Sequence, residues 1–174
     1  QITSAAGEGE SANRLLVRVG LASMRVAGAQ LLGHRDLKRM LAYSSVEQMG
    51  ILALATGLGA GATFATLLHL VNNALGKGAL FLAVGNVHRA FGGKTTGEVR
   101  GALRRLPVSG TIFLLSFFAV TGSPPFGLFV SEMLILKSVF AAHRWLVGGL
   151  FLAGLFVVFA GMGTQALRSR IVDS

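Results

Sequence analysis

Cysteine is absent from the 174 residues. That removes disulfides, Cys-ligated iron–sulfur clusters and Cys zinc sites from consideration. Charge is scarce as well: 13% of residues, against about 25% in an ordinary soluble domain. Acidic residues are the scarcest, 7 Asp+Glu against 16 Lys+Arg, for a formal net charge of +9. The histidines are His34, His69, His88 and His143, too scattered for a metal cluster. What fills the chain instead is apolar: 52% hydrophobic residues and a mean hydropathy of +0.65. Such a chain is not disordered and does not read as a soluble domain. Two readings of a basic, apolar sequence are left, a nucleic-acid binder or a membrane protein, and the placement of the charges decides between them.

Apolar segments occupy residues 14–33, 40–59, 62–87, 108–142 and 145–167. A membrane helix needs roughly 20 apolar residues, so the length allows about five spans and no separate soluble domain. The expected fold is all-α, a polytopic transmembrane helix bundle. Its transmembrane domain covers residues 14–167, between a polar N-terminal extension (1–13) and a polar tail (168–174). The opening lacks a signal-peptide layout, and the chain reads as a piece of a longer membrane protein. The fourth segment is too long for one straight span. Gly122-Ser123-Pro124-Pro125 interrupts it, and proline both removes a backbone donor and clashes with the preceding turn, so a broken helix is expected there. The glycine run Gly57-Leu58-Gly59-Ala60-Gly61 has no flanking strand and is no nucleotide-binding fingerprint.

With alternating spans, one side of the membrane receives Arg35, Lys38, Arg39, Arg89, Lys94, Arg100, Arg104, Arg105, Arg168 and Arg170. The other receives little beyond Arg14 and Arg144. This is the positive-inside asymmetry, and it predicts cytoplasmic basic loops and an outside N-terminal end. A nucleic-acid surface would gather its cations along one groove with interleaved aromatics. These cations are spread over separate loops, so no nucleic-acid partner is expected.

Subtracting the loops leaves Arg18, Arg25, Glu47, Lys77, Glu132 and Lys137 in or near spans. A charge at mid-bilayer costs at least ~2.5–3.5 kcal/mol, so such residues face the bundle and often mark ion pathways. Lys137 lies near a helix end, where snorkelling accounts for it. Arg18 and Arg25, seven apart, share a face and suit lipid headgroups or acidic groups on another helix equally well. Lys77 is too deep to snorkel easily. Counting back in fours gives Asn73 and His69 on one face, with about 12 Å between the levels of His69 and Lys77 at ~1.5 Å rise per residue. Histidine and a desolvated lysine can exchange protons and asparagine can hold a water, which makes a proton wire. A polar seam that only glues helices is the rival reading. Glu132 follows the Pro124-Pro125 break by two turns, where irregular backbone lines a cavity or is buried in protein. It is either an ion gate or a structurally paired carboxylate at a hinge.

These residues resemble a known family. Asp36-Leu37-Lys38-Arg39-Met40-Leu41-Ala42-Tyr43-Ser44-Ser45 is similar to the D-x-K-R-x-L-A-Y-S-[ST] signature of the antiporter-like membrane subunits of respiratory complex I and membrane-bound hydrogenases (the NADH-quinone oxidoreductase subunit L/M/N family). The stretch from His69 through Asn73 and Lys77 to Leu82 resembles that family's H-x3-[HN]-x3-K-x-x-L-F-L helix, and Ser123-Pro124-Pro125-Phe126-Gly127-Leu128-Phe129-Val130-Ser131-Glu132 its broken helix. Tyr43-Ser44-Ser45-Val46-Glu47-Gln48-Met49-Gly50 leans toward the hydrogenase-4 component F and formate hydrogenlyase branch, departing from it at Gln48, where that branch usually has His.

The resemblance implies a fragment matching the second of two inverted repeats, in a multi-pass protein of a bacterial or archaeal inner membrane. It implies a non-redox subunit with no cofactor of its own, partnered by other membrane subunits of a complex I-like or hydrogenase complex and by the lipid bilayer. Protons, with sodium as the other candidate, would be transported. By the same resemblance His69, Asn73, Lys77 and Glu132 carry proton translocation and Asp36 and Lys38 form a charged pair at the helix entrance. Glu47 and Arg25 are secondary candidates. Two rivals stand beside this reading: a subunit of a multisubunit sodium/proton antiporter, and a non-conducting membrane scaffold.

Overall fold

The computed structural model describes residues 2–33, 37–91, 107–124 and 126–168. Within them the regular secondary structure is all helical, joined by short turns. The elements are α1 (Ile2–Gly33), α2 (Leu37–Thr56), a short 3-10 turn (Ala60–Ala62), α3 (Thr63–Phe91), α4 (Pro107–Val120), α5 (Gly127–Ala141) and α6 (Trp145–Arg168). The apolar segments expected at 14–33, 40–59, 62–87, 108–142 and 145–167 fall on α1, α2, α3, the α4–α5 pair and α6. The first helix starts twelve residues before its apolar stretch: residues 2–13 are helical and continuous with it. At ~1.5 Å per residue, its 32 residues extend about 48 Å, beyond a hydrocarbon core of about 30 Å. Ala60–Asn86, 27 residues, is by itself long and apolar enough to cross a membrane, while Val108–Val120 and Trp145–Gly161 are apolar but shorter.

Among the described residues, the interruption between α4 and α5 turns on a glycine. Gly122 has φ 72°, a left-handed conformation that only glycine adopts without a steric penalty. Its N–H donates to Ala119 O (3.4 Å), and Ser123 N–H donates to Phe118 O (3.2 Å). These are the two bonds of a Schellman cap, which satisfy the carbonyls left free at a helix C-terminus. The same cap closes α5 at His143 (φ 53°), with His143 N–H on Phe140 O (2.9 Å) and Arg144 N–H on Val139 O (3.2 Å).

Neighbouring helices pack α1 on α2 and α6, α3 on α2, α4 and α5, and α5 on α6. Two apolar clusters fill the bundle. One joins Leu80 and Ala83 of α3 to Phe113, Phe117 and Val120 of α4 and Val158 of α6. The other joins Met24, Ile51, Leu54, Ile135, Val139 and Phe151 from α1, α2, α5 and α6. In lipid there is little hydrophobic gain from helix association, so close packing at small residues has to supply it. The α1–α2 contact shows this: a β-carbon at Gly20 would come within 2.5 Å of Gly50 O, and one at Gly50 within 2.9 Å of Gly20 O.

Polarity runs opposite to that of a soluble protein. Phe64, Leu82, Leu146 and Phe156 are each more than 70% exposed, whereas Ser44, Glu47, Gln48, His69, Asn73, Ser131 and Glu132 are each at most 4% exposed.

Candidate functional site

Three helices deliver polar side chains to the interior. From α2 come Ser44, Ser45, Glu47 and Gln48; from α3, His69, Asn73 and Lys77; from α5, Ser131 and Glu132. The four-residue spacing places His69 (0% exposed) and Asn73 (4%) on the inward face of α3, with the half-buried Lys77 a further turn along. Ser44 and Gln48 repeat the same four-residue step on α2, with Glu47 beside them.

The contacts connect these groups through α2. Lys77 Nζ donates to Ser45 Oγ (2.6 Å) and Ser44 Oγ (3.3 Å), and its charge acts on the Glu47 carboxyl. Glu47, Gln48 and Glu132 are all turned into the interior. His69 Nδ1 pairs with Ser131 Oγ (2.9 Å), and that hydroxyl also donates to Leu128 O (2.8 Å). Asn72 Nδ2 donates to Gly127 O (3.0 Å), so α3 holds the first turn of α5 at two levels. The Glu132 carboxyl rests against the helix break: a β-carbon on Gly122 would lie 2.7 Å from one of its oxygens and 3.0 Å from the other.

Several buried atoms keep spare hydrogen-bonding capacity. Glu47 Oε2, Gln48 Oε1, His69 Nε2 and Asn73 Oδ1 have no partner among the described protein groups. Buried polar atoms of that kind are uncommon and are found where water or a reacting group completes the set.

The expected residues divide accordingly. His69, Asn73, Lys77 and Glu132 are all turned into the bundle, and Glu47 stands with them rather than at the margin, between Lys77 and Glu132. Arg25 is exposed on α1. Asp36 lies outside the described residues; Lys38 is in the first turn of α2, and its side chain lies outside the described set. Lys137 is exposed, at the rim of an open cavity of about 470 Å³ between the ends of α2, α3 and α5. Gln48, Ser131 and Gly122 carry contacts that sequence reasoning did not assign. The signal available for Gln48 was its place one helical turn after Ser44; Ser131 meets His69, and Gly122 meets Glu132, only through the fold.

A helix bundle that turns carboxyls, imidazole and lysine inward and leucine and phenylalanine outward is a polytopic membrane protein. Residues 3–162 match the family described as NADH:quinone oxidoreductase/Mrp antiporter, TM, and the chain belongs to that family. It is 40% identical over 131 residues to the hydrogenase-4 component F homolog of Methylacidiphilum infernorum (isolate V4), which covers 75% of this chain and 28% of that protein. It is 32% identical over 140 residues to Na(+)/H(+) antiporter subunit A1 of Staphylococcus aureus (strain MRSA252), covering 72% of this chain and 18% of that one. Among solved structures, the membrane-bound sulfane sulfur reductase, an archaeal respiratory membrane complex, superposes with a TM-score of 0.83 at 27% identity, over 94% of this chain and 34% of the other. The Mrp complex from Dietzia sp. DQ12-45-1b shares the fold, with a TM-score of 0.84 at 22% identity over 96% of this chain and 32% of the other. The chain thus spans about a third or less of the relatives it matches.

Proposed function

We propose that this chain forms part of a proton-translocating membrane subunit of a complex I-like or membrane-bound hydrogenase oxidoreductase, coupling electron transfer elsewhere in the complex to proton transport. The observation that carries the reading is Lys77, a lysine held inside a membrane bundle by two serine hydroxyls and facing a buried carboxyl. A structural seam does not need a lysine there, because uncharged polar groups bind helices at lower desolvation cost. A lysine that changes partners with its protonation state serves a transport cycle.

In this reading a proton moves among His69, Asn73, Lys77 and Glu132, with Glu47 and Gln48 of α2 linking the last two. The α4–α5 break lets the Glu132 side of the path change its exposure. Other membrane subunits would supply the redox chemistry and flank the bundle. The similarity to hydrogenase-4 component F favours the hydrogenase-type complex. The similarity to subunit A1 of a sodium/proton antiporter supports a second reading, an antiporter in which the same path serves ion exchange.

The test is Lys77→Ala in the assembled complex, with proton uptake followed by a pH-sensitive dye. Loss of uptake with assembly intact is the expected result; uptake at the wild-type rate defeats the proposal. Transport that persists without any electron donor and requires sodium would move the assignment to the antiporter reading.

A further inference from the structure

The His69 ring is fully buried, and its contacts assign its hydrogens. Nδ1 lies 2.9 Å from Ser131 Oγ, and that oxygen lies 2.8 Å from Leu128 O. A carbonyl only accepts, and a hydroxyl has one hydrogen to give. The hydrogen between Ser131 and Leu128 O therefore belongs to Ser131. Were it turned to His69 instead, two acceptor oxygens would face each other with no hydrogen between them. With that hydrogen on Leu128 O, Ser131 meets the ring as an acceptor and Nδ1 is the donor. A neutral imidazole carries a single N–H. Nε2 then holds the lone pair, and it has no partner among the described groups.

Helix packing keeps this arrangement in place. The α3 helix runs antiparallel to the broken α4–α5 element: His69 meets Ser131, Asn72 Nδ2 donates to Gly127 O (3.0 Å), and a β-carbon on Gly76 would lie 3.2 Å from Val120 Cγ2. These contacts, on both sides of the break, fix the register of Ser131 against His69. Ser131 is itself fully buried, so bulk water does not compete for Nδ1. We propose that Ser131 is a positioning residue that holds His69 with its hydrogen on Nδ1, so that a proton joins and leaves this histidine at Nε2 alone. A proton taken up by the Nε2 lone pair makes an imidazolium with an N–H on each nitrogen, and its loss from Nε2 restores the starting ring. Exit through Nδ1 is closed. Ser131 would have to take that proton and release its own to Leu128 O, and an amide carbonyl accepts a hydrogen bond without keeping the proton. Glu132 follows Ser131 in the sequence, yet the hydrogen-bonded chain from His69 ends on the backbone of α5 rather than on that carboxyl. The use of His69 in transport rests on the reading above; the position of its hydrogen does not.

Nitrogen-15 NMR of the assembled complex with labelled histidine reads the tautomer directly, because protonated and bare ring nitrogens resonate far apart. Spectra are taken at about pH 8, above the ordinary histidine pKa of about 6.5. Subtracting the spectrum of His69→Gln isolates His69, with His69→Asn as the reference if the first does not assemble on native gels. Wild-type His69 should show its hydrogen on Nδ1 and a bare Nε2. Ser131→Ala removes the acceptor, and the Nε2–H form, which free histidine prefers, should appear. Ser131→Thr keeps the hydroxyl and should keep the wild-type pattern, while Ser131→Val, matched to threonine in bulk, should behave as alanine does. A serine that only fills space would leave the tautomer unmoved. Overturning results are an Nε2–H ring in the wild type, or the Nδ1–H pattern persisting unchanged in both Ser131→Ala and Ser131→Val. The spectra decide the tautomer whether or not the complex pumps, and the dye assay on Lys77→Ala decides the transport reading, so the two failures are separable.

Discussion

Lys77 Nζ lies 2.6 Å from Ser45 Oγ and 3.3 Å from Ser44 Oγ, so two consecutive hydroxyls of α2 hold a lysine of α3 from the side away from its own helix. Hydrogen bonds to a charged group contribute ~1.5–3 kcal/mol each. Replacing both serines by alanine removes the hold without changing helix packing volume much. The expected outcome is a drop in proton uptake of about tenfold or more, the kinetic equivalent of ~1.4 kcal/mol, at unchanged complex abundance. Uptake equal to wild type would show that the hydroxyls are not used.

The Ser131 hydroxyl serves His69 and its own helix at once. Ser131→Ala leaves His69 Nδ1 buried without that partner, in a ring whose Nε2 already has none among the described residues. A lost partner of this kind costs ~1–3 kcal/mol. The solubilised complex should melt at a lower temperature and its uptake should slow, whereas Ser131→Thr, which retains the hydroxyl, should keep most of the rate.

Gly122 is constrained twice, by its positive φ and by the Glu132 carboxyl over its α-carbon. Gly122→Ala adds left-handed strain of ~1–2 kcal/mol and displaces the carboxyl by steric contact. Stability measured by thermal unfolding should fall by at least that amount and uptake should fall with it. At Ala119, a helical position in the preceding turn, a change to Ser should have little effect on either readout.

The α1–α2 seam is the assembly prediction. Gly20→Leu drives a side chain into Gly50 O and Leu54 N, 2.5 and 2.7 Å from where its β-carbon would sit. Backbone cannot yield as a side-chain tip can, so the subunit should fail to accumulate in membranes, as read by immunoblot. Leu15→Ala, on an exposed position of the same helix, should accumulate normally.

Orientation is open to labelling. The basic residues between 88 and 107 predict a cytoplasmic loop. A cysteine introduced at residue 97 should react with an impermeant maleimide in inverted vesicles and be protected in right-side-out ones. Labelling from the outside would reverse the topology.

Much of this was legible in the sequence because membrane chemistry makes it so. In hydrocarbon, backbone groups must pair within the helix, so long apolar stretches report their own secondary structure. Thus α3, α6 and the α4–α5 interruption fall where apolar runs and Pro124-Pro125 put them. The early start of α1 was hidden because residues 2–13 are polar and leave no apolar run. The inward turn of His69, Asn73 and Lys77 followed from four-residue spacing and from the cost of leaving a lysine in lipid.

The partners did not follow. Spacing along α3 fixes which side chains share a face, but a sequence carries no distance between helices. It suggested a path along His69, Asn73 and Lys77 toward Glu132. In the fold, Ser44 and Ser45 of α2 take the Lys77 ammonium, while Ser131 of α5 meets His69 of α3. Gly122, Asn72 and Ser131 gained their roles the same way, from contacts 10, 55 and 62 residues apart along the chain. The sequence by itself determined that the protein is a helical membrane bundle with a lysine and a glutamate turned inward, because hydration energy penalises leaving such groups in lipid. Only the tertiary structure decided which of these groups meet, because that depends on ångström distances set by helix packing.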